Sequence, residues 1–195
     1  MLKNEPVLAI DIGASAITFG RFAVLGSGGL ELVGFGRQSL GMEGSTDEDR
    51  GAHITSALRT LVKEHGLRPG PALISVSGQS VFVRFVKLPP VDREKIQQIV
   101  QYEAQQNVPF PINEVIWDYQ LIGGREGEID VMLAAIKKDV VEGICEAVAE
   151  AGIEPELVDV SPLALYNAFR FNYTESVGCT LLVDMGARST DLVFV

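Results

Sequence analysis

The chain has 195 residues, is 47% hydrophobic and 22% charged, and carries a formal net charge of −10. That size allows one good core or two small ones, and the composition excludes a disordered chain. The acidic balance argues against nucleic acid or an anionic membrane surface as the main partner, and the apolar runs fall far short of the roughly 20 residues of a membrane-spanning helix. The first residues, MLKNEPV, carry no export segment, so the expected location is the cytoplasm. Cys145 and Cys179 are isolated and read as reduced, buried thiols; His53 and His65 stand alone, without zinc spacing.

In chain order, Val7 to Val24 (VLAIDIGASAITFGRFAV) predicts an apolar strand, a turn at Asp11-Ile12-Gly13-Ala14-Ser15, and a returning strand. A strand that stops on Asp-x-Gly suits a ligand at its tip. Gly13 lets the backbone approach, the N–H groups of Gly13, Ala14 and Ser15 are candidate phosphate donors, and Asp11 would face a hydrated Mg²⁺. The bland alternative is a polar hairpin turn. Leu30 to Leu40 predicts a third strand, and Gly41 to Asp49 a polar loop. Ile54, Leu58, Leu61 and Val62 form a helical stripe, capped at Gly66 and stopped by Pro69. Ala72 to Ser77 returns as a strand. Val81 to Leu88 alternates, with Val81, Val83 and Phe85 on one face and Phe82, Arg84 and Val86 on the other. Asp92 opens a helix to about Asn107. Glu114–Ile122 and Ile129–Ile136 form a hairpin across a turn at Gly123 to Gly127. Asp139 starts a helix closed by Gly152; a strand at Glu156–Val160 and a helix after Pro162 follow.

Near the end, Cys179 to Val195 (CTLLVDMGARSTDLVFV) repeats the first pattern: an apolar strand, Asp184-Met185-Gly186, small and hydroxyl residues, and a returning strand. Two such hairpins can approach one nucleotide from opposite walls of a cleft, an arrangement that resembles the phosphate clamp of the actin and sugar-kinase superfamily. The expected fold is therefore α/β: an actin-like, ribonuclease-H-like lobe (residues 1–82 with 155–177), an inserted α+β module (83–154), and a second lobe only begun (178–195). The chain stops inside an apolar strand, so it reads as the N-terminal part of a longer protein, with homo-oligomerisation through that orphan edge left open.

Three segments carry a more specific resemblance: SVSGQSVFVRFVKLPP (Ser75 to Pro90), YEAQQNVPFPINEVIWDYQLIG (Tyr102 to Gly123) and AAIKKDVVEGICEAVAEAGIEPELVDVSPLAL (Ala134 to Leu165). They resemble the PilM family of type IV pilus assembly proteins, similar in turn to the cell-division actin homologue FtsA. The resemblance implies that 83–154 is an FtsA-like 1C subdomain standing in for the usual second actin subdomain. It further implies a cytoplasmic, ATP-binding adaptor that is recruited to the inner membrane. Its partners would be the N-terminal tail of a PilN-like membrane protein and other pilus assembly proteins. That tail would lie extended where the insert meets the first lobe, against Val81, Val83 and Phe85, with Arg84 or Lys87 at the rim. The alternative is that these residues pack the insert's own core.

Carried over by motif, Asp11, Gly13 and Ser15 match the first phosphate loop and Asp184, Gly186, Ser189 and Thr190 the second, with Mg²⁺ held by Asp11 and Asp184 through water. Two departures matter. Thr18 stands where such loops often carry a lysine, a loss on the order of 1.5–3 kcal/mol in phosphate binding. Ser161 precedes Pro162 where a carboxylate or amide often orients the attacking water; Asp159, two residues earlier, is the candidate catalytic substitute. Three readings follow in order: an ATP-binding scaffold with slow or no turnover, an ATPase coupled to pilus dynamics, and a scaffold that no longer binds nucleotide. A sugar kinase is disfavoured, since no motif places a carboxylate to activate a sugar hydroxyl.

Overall fold

The computed structural model describes residues 6–26, 28–41, 49–124, 127–175 and 177–195. The elements in order are β1 (Val7–Ile12), β2 (Ala16–Val24), β3 (Leu30–Ser39), α1 (Arg50–His65), β4 (Pro71–Val76), β5 (Val81–Leu88), α2 (Arg93–Asn107), β6 (Val115–Gly123), β7 (Ile129–Lys137), α3 (Lys138–Glu150), β8 (Glu154–Val160), α4 (Ser161–Asn172), β9 (Leu181–Met185) and β10 (Thr190–Phe194). Most of the loop expected at Gly41 to Asp49, and part of the turn expected at Gly123 to Gly127, lie outside the described residues. The described residues fall into two compact units, one within Met1–Gly78 and Gly143–Val195 and the other within Gln79–Glu142.

The first unit is built on a five-stranded sheet in the order β3-β2-β1-β4-β8. β1, β2 and β3 run antiparallel in sequence, while β4 and β8 lie parallel to β1 and to each other. This is the actin-like, ribonuclease-H-like lobe the sequence predicts. Alternation sorts the two faces: Leu8, Ile10 and Ile12 of β1, Ile17 and Phe19 of β2, and Ala72, Ile74 and Val76 of β4 are buried. The stripe of α1 (Ile54, Ala57, Leu58 and Leu61) is buried as well. Gly66 ends α1 in the left-handed region at φ 57°, its N–H returning to the Val62 carbonyl. The terminal hairpin, β9 with β10, forms its own two-stranded sheet.

Two placements differ from the segments drawn on the sequence. The second half of α3 belongs to the first unit, because its carbonyls are taken by α1: Thr55 Oγ1 donates to Ala147 O at 3.2 Å and Arg59 Nη2 to Glu150 O at 3.0 Å. The terminal hairpin also belongs there, tied by the Ser161 hydroxyl, which donates to Asp191 Oδ2 at 3.1 Å. Cys179 corrects an expectation: it is exposed and Cys145 is half-buried, because the strand that Cys179 enters has a neighbour on one side only.

The second unit is a three-stranded antiparallel sheet in the order β5-β7-β6 with α2 on one face. Its core is Leu88, Ile96, Val100, Ala104, Val115, Val131, Leu133 and Ala135, with Phe82 and Val86 packed against it. Each large side chain buried this way contributes about 1.5–3 kcal/mol. Asp92 does stand at the N-cap of α2, but its side chain makes no capping hydrogen bond; its carbonyl accepts from Lys95 N at 2.8 Å and its carboxylate lies 3.7 Å from Lys95 Nζ. No helix among the described residues is long and apolar enough to cross a membrane.

Candidate phosphate cleft

The turn between β1 and β2 closes with Gly13 N–H donating to Ala16 O at 3.1 Å, and that between β9 and β10 with Gly186 N–H donating to Ser189 O at 2.9 Å. The offsets from Asp11 and from Asp184 are the same. A Cβ on Gly13 would stand 3.0 Å from Ala16 O, and one on Gly186 3.1 Å from Ser189 O, so both turns need glycine for the same close approach. The two hairpins are thus one local structure used twice. Across each ladder Asp11 faces Thr18, and Asp184 faces Asp191.

Both turns open on one cleft of about 390 Å³, within the range of small-molecule sites. Asp11, Gly13, Ala14, Ser15, Asp184, Gly186 and Ser189 line it, as expected from the sequence; Thr18, Ser77 and Ser161 do too. Thr190 is exposed at the start of β10, opposite Met185, and Asp159 is half-buried; neither is among the lining residues. One detail corrects the expected donor set. The Gly13 N–H is spent inside its own turn, so the N–H groups that face no protein acceptor among the described residues are those of Ala14 and Ser15.

Arg50, at the start of α1, holds the first loop from behind, donating to Gly13 O at 2.9 Å and Ala14 O at 3.3 Å. Occupying these carbonyls turns the peptide dipoles so that their N–H ends are available to an anion. Nothing in the local sequence marks Arg50 for this role; only the fold brings it there. Asp191 is a second residue missed by motif matching, although its distance from Asp184 equals that of Thr18 from Asp11. It accepts from Ser161 Oγ, which in turn accepts from Gly78 N–H at 3.3 Å.

The register aligns Arg37, Thr18, Asp11, Ser75 and Asp159 in one row across all five strands, so their side chains share a face. Asp11 is exposed to the cleft, yet its carboxyl is held above its ordinary range, chiefly by desolvation from the surrounding protein, opposed by a hydrogen bond from Ser75 and reinforced by the charge of Asp184. A carboxylate in that setting suits a cation beside it. Apart from the Met185 thioether, the side chains there that could bind a metal are oxygen ligands, from Asp11, Asp184, Asp191 and the hydroxyls of Ser15, Thr18, Ser77, Ser161 and Ser189, the hard ligands that fit Mg²⁺ and its waters. Among the described residues no cluster of three or more His, Cys, Asp or Glu would cage a metal unaided, so a metal there would need ligands from water or a bound molecule as well.

Val81, Val83, Arg84, Phe85 and Lys87 lie on β5, an edge strand of the second sheet. The alternation is observed, and the core takes the other set: Phe82, Val86 and Leu88 face α2. Val83 is 45% exposed and Phe85 66% exposed, so neither packs the unit's own core. Lys87 pairs with Glu128 at 3.1 Å.

Residues 9–195 match the family model described as Type IV pilus assembly protein PilM. Among solved structures the chain is similar to a chain of the "PilM-PilN type IV pilus biogenesis complex", with 29% identity and a TM-score of 0.80. That match covers 97% of this chain, which spans 57% of the length of that one. It also shares the fold of the cytoplasmic domain of EpsL, an inner-membrane component of the type II secretion system of Vibrio cholerae. There the identity is 10% and the TM-score 0.60, over 97% of this chain and 71% of that one.

Proposed function

Because the chain belongs to the PilM family of type IV pilus assembly proteins, we propose that it is an ATP-binding adaptor. It works at the cytoplasmic face of the inner membrane, holding the N-terminal tail of a PilN-type membrane protein, the partner named for the similar structure. One observation carries the nucleotide half of this reading: two equivalent Asp-x-Gly turns, from distant parts of the sequence, open on the same cleft. Ala14 and Ser15 N–H would meet phosphate oxygens, while Asp11 and Asp184 would hold the waters of Mg²⁺, which when bound neutralises the phosphate charge.

Slow or absent turnover fits the rest of the cleft. Asp159 is not among the lining residues, and its Oδ1 accepts from Val160 N–H at 2.7 Å. Ser161 does line the cleft, but its proton is committed to Asp191, and a hydroxyl is a poor general base.

For the tail, β5 offers a backbone edge with no paired strand among the described residues, beside the exposed side chains Val83 and Phe85. An extended peptide added there gains main-chain hydrogen bonds and buries alternate apolar side chains. In a test with the full-length protein, Mg·ATP at a hundred times its Kd should stabilise the fold by about 2.7 kcal/mol in thermal melts. An immobilised N-terminal PilN peptide should capture the protein. No melting shift at millimolar Mg·ATP would remove the nucleotide half, and no capture would remove the adaptor half.

A further inference from the structure

The cleft is walled by three carboxylates, Asp11, Asp184 and Asp191, yet the ligand proposed for it is a polyanion. Backbone N–H groups and one divalent ion leave charge on a triphosphate unanswered, so a cationic side chain should face it. Three arginines lie near. Arg50 is committed to the carbonyls of Gly13 and Ala14. Arg188 stands on the second turn and is engaged by another group of the protein. Arg37 lines the cleft, is exposed, and has no carboxylate in salt-bridge range among the described residues.

The direction of Arg37 is fixed by its neighbour. Gly36 is buried against the edge-to-face pair of Phe19 and His65, whose ring centroids lie 5.0 Å apart, and a Cβ there would collide with both rings. With Gly36 turned inward, strand alternation sends Phe35 and Arg37 to the opposite face, and both line the cleft. Arg37 is paired with Thr18, which is paired with Asp11 at the loop tip. Thr18 brings no charge to this row, so the cation comes from one strand further out.

The geometry points to Arg37 as the side chain that grips the phosphate arm of a nucleoside polyphosphate, placing its planar fork on the wall formed by the first lobe. This rests on the nucleotide-binding reading above and names a residue that no motif in the sequence marks. A guanidinium donates two parallel N–H bonds to a phosphate, so lysine at 37 would keep the charge and lose the fork.

Calorimetric titration of the full-length protein with Mg·ATP and with adenosine tests it. Arg37→Gln should weaken Mg·ATP binding about ten- to a hundredfold and leave adenosine binding unchanged; Arg37→Lys should fall between. Adding Thr18→Lys to Arg37→Gln should recover most of the lost affinity, since it returns a cation to the same row beside Asp11. Equal Mg·ATP affinity in wild type and Arg37→Gln would overturn the assignment while leaving nucleotide binding intact. Equal loss for adenosine and ATP would overturn it too, by showing a structural role. Wild-type protein that binds neither ligand would overturn the nucleotide reading and this inference together. Should Arg37→Gln melt below wild type without ligand, Arg37→Lys and the double variant carry the comparison.

Discussion

The Asp11 carboxyl answers to three influences: burial and the nearby Asp184 charge raise it above 3.8, and the Ser75 hydroxyl opposes them. A carboxyl raised on folding costs stability wherever it is ionised in the folded protein. The penalty is complete above the folded value and disappears as pH falls through that value toward the unfolded one. Asp11→Asn keeps an acceptor for Ser75 and removes the charge. At neutral pH and without ligand the variant should therefore melt above wild type, with the gap closing as pH falls into the carboxylate range. If the proposed nucleotide reading holds, the same variant should lose its response to Mg·ATP, because the charge that costs stability without ligand is the one that would hold the cation. A variant less stable than wild type at neutral pH would show that Asp11 is held mainly by its hydrogen bond. The importance of Asp11 is legible in the sequence, from a carboxylate ending an apolar strand. Its raised carboxyl is not, because Asp184 and Ser75 meet it only after folding.

At the level of elements, β5 shows how far alternation reaches. The sequence separates Val81, Val83 and Phe85 from Phe82, Arg84 and Val86, but periodicity alone cannot say which set faces inward. The α2 helix decides, by packing Ile96, Val100 and Ala104 onto the same side as Phe82, Val86 and Leu88. Leu133 at the centre of β7 is fully buried, so Leu133→Ala should cost about 2–5 kcal/mol in urea denaturation. Phe85→Ala should change stability by less than about 0.5 kcal/mol and weaken capture by the PilN peptide. A large stability loss from Phe85→Ala would instead place that ring in a packing role. The sequence places the helix from Asp139 to Gly152 inside the inserted segment 83–154, but the second half of α3 belongs to the first unit. Thr55, a buried polar residue at 4% exposure, and Arg59 reach its last carbonyls from far away in sequence, and no local pattern records that bond.

Over the whole molecule, five strands bring Arg37, Thr18, Asp11, Ser75 and Asp159 into one row, though they come from four separate stretches of chain. Asp159 stands two strand spacings of about 4.8 Å each from Asp11, as Arg37 does on the other side, but only the longer side chain of Arg37 is among those lining the cleft. Phosphate release by the full-length protein should therefore be slow and should be unchanged in Asp159→Asn. Loss of release in that variant would favour the ATPase reading. The order of strands and helices, the two Asp-x-Gly turns and the family are legible in the linear chain, because strand and helix periodicity, glycine turns and motif strings are local and survive in one dimension. It took the folded sheet to show that Arg50 braces the first loop, that Asp191 accepts a hydrogen bond from Ser161, and that Arg37 rather than Asp159 lines the cleft. Those facts depend on strand register and on contacts between distant segments, which the energy of the folded sheet fixes and a linear pattern does not contain.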